Sequence, residues 1–66
     1  MDLYHWRADE PGNIQGVVMA ENGLEAKRKV IVHLAITHGY KGRTPEDIQI
    51  EWLGVNDDGV YIIEEL

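Results

Sequence analysis

The stretch ENGLEAKRKVIVHLAITHG, residues 21–39, decides the fold because it can form either strands or a helix. Its Asn-Gly pair is common in tight hairpin turns, and its β-branched residues favour a strand. Against this, Asn22 and Glu25 have the spacing of a helix N-cap and the third helical residue, as in a capping box. Gly39 stands where a left-handed glycine commonly ends a helix. These two ends predict a helix over residues 23–38.

The apolar residues of this helix do not all lie on one side. The stripe predicted to face the core comprises Leu24, Ile31, Leu34 and Ala35, with Val30 beside it. Val32 and Ile36 are four positions apart and lie well away from that stripe. A helix that covers one face of a small sheet does not need a second apolar surface. The pair is therefore predicted either to pack under a loop or to form a subunit contact.

Strands are predicted on both sides of the helix, because residues of alternating polarity run between turn-forming segments. DEPGN at residues 9–13 predicts the turn of a first hairpin, and NDDG at residues 56–59 predicts that of a second. TPED, residues 44–47, predicts one short helical turn with proline in its first position. The predicted strands are residues 3–8, 14–20, 48–55 and 60–65.

These elements predict a single α+β domain over residues 1–66. Its order is ββαββ, with an antiparallel sheet and one helix packed on one face. The large apolar residues that alternate on the strands, or lie on the helical stripe, are expected to form one buried cluster. That predicted core comprises Trp6, Val18, Ile31, Leu34, Ile50, Trp52 and Ile62.

Charge is distributed unevenly along a chain whose formal net charge is −6. Residues 26–45 carry five Lys and Arg and no acid, whereas residues 46–66 carry seven Asp and Glu and no Lys or Arg. Nucleic-acid-binding modules usually carry a net basic footprint, so the basic segment is interpreted mainly as neutralising the chain's own acids. The negative total favours a basic protein partner.

The absence of cysteine excludes disulfides and thiolate metal sites. It also favours a reducing compartment, so a cytoplasmic location is predicted, and no apolar run is long enough to suggest a membrane partner. A core this small usually supplies only about 3–5 kcal/mol. A weak, concentration-dependent homodimer through Val32 and Ile36 is therefore also predicted.

Nothing in the sequence indicates catalysis, a cofactor or a metal site. The chain has no Ser or Cys and no glycine-rich phosphate loop. His33 and His38 are five positions apart, roughly 140° around a helix, unlike the i,i+4 pair of a zinc helix. Both histidines are interpreted as structural or solvent-facing. The protein is predicted not to be an enzyme.

One segment resembles a known family. IQGVVMAENGLEA, residues 14–26, combines a strand containing a central glycine with a capped helix that opens with Glu-Ala. This pattern is similar to the archaeal LX ribosomal protein family, which also continues into a strand like residues 48–50. The N-terminal cytoplasmic module of F-type type II secretion proteins has a comparable opening. The resemblance covers roughly residues 3–53 as a pattern, and an LX-like role implies contact with ribosomal RNA.

The leading functional hypothesis is a small non-catalytic protein-binding or regulatory module, such as an acidic inhibitor or adaptor. It would act through an edge strand or the helix face. The alternative is an RNA- or DNA-binding module that uses the basic helix and the loop at residues 40–43, where cations adjoin an aromatic ring. The candidate binding residues are Val32, Ile36, Tyr40, Lys41 and Arg43.

Overall fold

A computed structural model describes residues 1–8, 13–55 and 63–66 of the chain. It contains a four-stranded antiparallel sheet and one α-helix, which confirms the predicted α+β class. A short 3₁₀-helix, Pro45–Asp47, follows the α-helix, as TPED predicts. The remaining elements, in chain order, are β1 (Asp2–Ala8), β2 (Ile14–Ala20), α1 (Gly23–His38), β3 (Ile48–Val55) and β4 (Ile63–Glu65).

Both ends of α1 form as the sequence predicts. The Asn22 side chain accepts a hydrogen bond of 2.9 Å from the backbone N–H of Glu25, while its own backbone is extended. At the other end, Gly39 adopts the left-handed conformation with φ of 72°. Its N–H donates to the carbonyl of Ala35, and the N–H of Tyr40 donates to that of Leu34. The helix prediction for residues 23–38 is therefore confirmed.

Removing this cap should measurably weaken the fold. Asn22→Ala leaves a helix-terminal N–H without its acceptor and is expected to lower the free energy of unfolding by about 0.5–2 kcal/mol. Urea denaturation followed by far-UV circular dichroism measures the loss. Asn22→Ser is the matched control, because serine supplies another capping oxygen. Equal stability of the Ala and Ser variants would contradict the role given to the cap.

The strand order is β3-β1-β2-β4, so β1 and β2 are the central strands. The predicted antiparallel pairing of β1 with β2 is confirmed. Residues 9–12 of the DEPGN segment, predicted to form the turn between them, lie outside the described residues. The second predicted hairpin is wrong, because β3 pairs with β1 and β4 pairs with β2 at the opposite edge. The NDDG segment that suggested it lies outside the described residues.

A glycine in β2 explains why β4 can pair at that edge. A Cβ atom at Gly16 would meet the backbone carbonyl oxygen of Glu64 and would lie 2.9 Å from the Cα of Glu65. Only a residue without a side chain allows this close backbone approach. The pairing places Glu65 opposite Gly16, and Gly16 in turn lies opposite Trp6 of β1.

The core lies between the sheet and α1. Its largest fully buried side chains are Trp6, Val18, Val30, Leu34 and Ile48. Three of these, Trp6, Val18 and Leu34, were predicted. Two further predicted core residues, Ile31 and Ile50, are partly buried and pack against the cluster. Ile62 lies outside the described residues.

The buried face of α1 is rotated relative to the predicted stripe. Ala26, Val30 and Leu34, spaced four residues apart, are fully buried, whereas Leu24 is 51% exposed. Because the side chain of Ala26 is small, the start of α1 can lie close to the sheet. The predicted stripe was therefore wrong at Leu24, because α1 turns the side that carries Ala26 and Val30 toward the sheet.

Trp52 was predicted to be buried, and that prediction is wrong, since it is 59% exposed. It pairs with Tyr4 and so lies on the helix-facing side of the sheet. Along that side of β3 the burial decreases, from the fully buried Ile48 to the partly buried Ile50 and then to Trp52. A Cβ atom at Gly23, the first residue of α1, would lie 3.0 Å from Ile50. Trp52, two residues farther along the edge strand, therefore lies beyond the cover of the helix.

Candidate functional site

A groove of about 430 Å³ runs between α1 and β4, and we call it the α1–β4 groove. Its apolar lining is formed by Val32 and Ile36 of the helix and Ile63 of the edge strand. Val32 is 56% exposed and Ile36 is 79% exposed, so neither belongs to the core. Among the described residues, the groove is therefore an apolar surface that takes no part in the core.

Charged residues border the groove toward the start of α1. The ammonium group of Lys29 lies 3.2 Å from the carboxylate of Glu25 and also donates to the backbone carbonyl of Met19. Arg28, which lines the groove beside them, is exposed and makes no ion pair with any residue that the structure describes. The Lys29 contacts are thus consistent with the interpretation of the basic segment as self-neutralising.

Toward the end of α1 lies a second feature, the His–Glu cluster of His33, His38 and Glu65. The Nε2 atoms of both histidines lie 2.9 Å from the Glu65 carboxylate. The two imidazole rings meet edge to face, with centroids 6.1 Å apart. The side chains are 16%, 27% and 30% exposed, respectively. The five-residue spacing that argued against a joint role therefore does not keep the histidines apart, because Glu65 reaches both of them.

Three elements hold the cluster in place. Glu65 is held by the pairing of β4 with β2, and the backbone N–H of the next residue donates to the carbonyl of Gln15. The ring of His33 packs edge-on against buried Trp6 at 5.9 Å between centroids. The Thr37 hydroxyl lies 3.4 Å from Nδ1 of His33, one helical turn away. All three residues of the cluster thus lie in regular secondary structure rather than in loops.

The hydrogen bonds from His33 and His38 lower the pKa of the Glu65 carboxyl below its ordinary value, because they stabilise the ionised form. Chemically, the cluster offers two imidazole nitrogens and a carboxylate. Such groups exchange protons with solvent and are common ligands of divalent transition metals.

Tyr40 and Arg43, two of the predicted binding residues, adjoin the His–Glu cluster. The Tyr40 ring stacks on His38 with centroids 5.2 Å apart and an interplanar angle of 16°. The Arg43 guanidinium carbon lies 6.0 Å from the Tyr40 ring centroid. Lys41, the remaining predicted binding residue of this loop, is exposed. One face of Tyr40 is therefore already covered by a histidine, which leaves less of the ring for a nucleic-acid base.

The structure thus divides four of the five predicted binding residues between two places. Val32 and Ile36 line the α1–β4 groove, whereas Tyr40 and Arg43 extend the His–Glu cluster. Glu65 was missed by sequence reasoning. Its position depends on the pairing of β4 with β2, and no local spacing in the sequence signals that pairing.

No protein-family model matches the chain, and neither a curated protein nor a solved structure shows significant similarity to it. The resemblance to the archaeal LX family therefore stays a prediction. Among the described residues, no helix has the length and apolar character that crossing a membrane requires.

Proposed function

We propose that this chain is a non-catalytic protein-binding module whose contact surface is the α1–β4 groove. The observation that carries the proposal is the exposure of Val32 and Ile36 beside Ile63 of an edge strand. Exposed apolar surface of this kind, bordered by charges, commonly marks an interaction site. A cytoplasmic location is part of the same proposal.

The occupant that best suits this surface is an extended segment of a partner protein. In the described residues no strand pairs with the outer edge of β4, so its backbone groups can accept an added strand. An added strand would place every second side chain on the helix-facing side, against Val32, Ile36 and Ile63. Those positions of the partner segment should be aliphatic.

The remaining side chains of such a strand would lie on the opposite face of the sheet. There the neighbouring residue of β4 is Glu64, which is exposed. The chain as a whole carries a net charge of −6. Basic residues at these alternate positions would therefore complement the surface. The proposed ligand is a segment that alternates aliphatic and basic residues.

A short capped peptide that alternates valine and lysine tests this proposal. Titration into ¹⁵N-labelled protein is expected to shift the amide resonances of α1 around Val32 and Ile36 and those of β4. Val32→Lys places a charge in the groove and removes the burial of one valine, worth about 1.5–3 kcal/mol. The variant is therefore expected to bind roughly 10- to 100-fold more weakly.

Val55→Lys is the matched control, because Val55 is a similarly exposed valine, at 66%, that lies outside the groove. It should bind the peptide like the parent. A peptide of the same composition, with its valines and lysines in two separate blocks, should bind more weakly. Equal loss in both variants, or no shift in the groove, would reject the proposed surface.

Two other occupants would appear as distinct results. Sedimentation showing self-association of the parent but not of Val32→Lys would assign the groove to a second copy of the chain. Binding of a mixed oligonucleotide that weakens steeply with salt would instead favour nucleic-acid contact through Tyr40, Lys41 and Arg43. Either result without peptide binding would replace the proposal.

A further inference from the structure

We propose that the His–Glu cluster binds a single divalent transition-metal ion of the zinc class. The ligands would be the Nε2 atoms of His33 and His38 and one carboxylate oxygen of Glu65. This inference does not depend on peptide docking in the α1–β4 groove, although His33 borders both sites.

The spacing of the donor atoms is close to what such an ion needs. One ligand atom from each residue can be chosen so that all three lie within 4.8 Å of one another. Zinc binds imidazole nitrogen at about 2.0–2.1 Å in tetrahedral geometry, which separates its ligand atoms by roughly 3.4 Å. The histidine–carboxylate separations are 2.9 Å. These would widen by about half an ångström to admit the ion, and any pair of donor atoms as far apart as 4.8 Å would have to close by about 1.4 Å.

The chemistry of the donors indicates which metal fits. Two imidazoles and one carboxylate suit zinc, copper, nickel or cobalt, and zinc sites with three protein ligands leave a fourth position for water or another ligand. Calcium prefers six to eight oxygen ligands, and magnesium prefers octahedral oxygen coordination. The cluster supplies only one carboxylate, so these hard cations should bind poorly.

One of the two histidines has the kind of neighbour that a ligating histidine usually has. A ligating imidazole usually donates its second N–H to a neighbouring oxygen, which fixes the ring orientation. The Thr37 hydroxyl lies 3.4 Å from Nδ1 of His33, where it can accept a hydrogen bond from that nitrogen. Trp6 and Tyr40 pack against the two histidine rings and restrict their rotation. The packing therefore limits how far the donor groups must move to bind an ion.

Zinc titration of chelator-treated protein tests the site. Isothermal titration calorimetry of the parent is expected to show one Zn²⁺ per chain, and Co²⁺ should give the visible absorption of a tetrahedral complex. Removing any one ligand should weaken zinc binding at least about tenfold, and the variants that do so are His33→Gln, His38→Gln and Glu65→Gln. Even a residue that only hydrogen-bonds the second ring N–H of a ligating histidine contributes 10- to 100-fold to metal affinity. Thr37→Val should cost about tenfold while leaving the stoichiometry unchanged.

His5→Gln is the matched control, because His5 lies on the opposite face of the sheet and also makes a 2.9 Å side-chain hydrogen bond, to Gln15. It should bind zinc like the parent. In the unmutated protein, Zn²⁺ should shift the ring resonances of His33 and His38 but not those of His5, a result that does not depend on variants folding. No saturable zinc binding, or an equal loss in His5→Gln, would overturn the site and leave the cluster a hydrogen-bonded network.

Discussion

Leu34→Ala is expected to lower the free energy of unfolding by about 2–5 kcal/mol. Leu34 is fully buried between α1 and the sheet, so truncation removes apolar contacts and leaves a cavity. A core of this size supplies only about 3–5 kcal/mol in total. The variant should therefore be largely unfolded, or melt far below the parent, in thermal denaturation followed by circular dichroism.

Leu24→Ala provides the comparison within the same helix. Leu24 is 51% exposed, so the same chemical change there should alter stability by no more than about 0.5 kcal/mol. If the two variants lost equal stability, the buried face of α1 would have to be assigned differently. A stable Leu34→Ala variant would have the same consequence.

Gly16→Ala is expected to displace β4 from the sheet. The added methyl group would meet backbone atoms of Glu64 and Glu65, which cannot move aside as the end of a flexible side chain can. Overpacking of this kind costs about 1–3 kcal/mol. Hydrogen exchange of the β4 amides should accelerate more than that of β1, because the described part of β4 comprises three residues with one described partner strand, whereas β1 has two.

Gly23→Ala is the control for this substitution. Its added methyl group would meet only the terminal carbon of the Ile50 side chain, at 3.0 Å, and a side-chain end can adjust. We expect normal protection of β4 in this variant. Unchanged exchange of β4 in Gly16→Ala would show that the backbone contact is not what positions the strand. Loss of zinc binding in Gly16→Ala, with normal exchange of the β1 amides, would show that the His–Glu cluster depends on the pairing of β4 with β2.

The elements of this fold could be predicted from the sequence because their signals are local. Asn22 and Gly39 mark the ends of α1, and the alternation of Tyr4, Trp6 and Ala8 places their side chains on the buried face of β1. Each signal involves residues within a few positions of one another. Such patterns determine the type of an element and which of its sides is apolar.

Strand order could not be predicted in the same way. A glycine-containing turn between two predicted strands favours a hairpin, but β4 pairs with β2 instead of β3. Gly16 permits this arrangement, yet in the sequence it indicates only a bulge or a close contact with an unnamed partner. Trp52 was misplaced for a related reason, since its burial depends on how far α1 extends over an edge strand.

The candidate site was predicted only in part. Val32 and Ile36 could be recognised because they lie away from the core stripe of their own helix. The His–Glu cluster could not, because Glu65 lies 32 residues from His33 in sequence and reaches it only through β4. Tertiary pairing, rather than spacing along the helix, brings these three side chains together.

The central position of β1 also bears on how quickly the protein can fold. Its partner residues in β2 are near in sequence. Tyr4 must also pair with Trp52 of β3, however, and most of the described chain lies between these two residues. Closing so long a segment costs chain entropy before its contacts form, which slows folding relative to helical proteins of similar length. The hairpin and α1 can begin to organise from local contacts alone. The His–Glu cluster cannot form before β4 docks, so its assembly would report the docking of β4 onto β2 in real time.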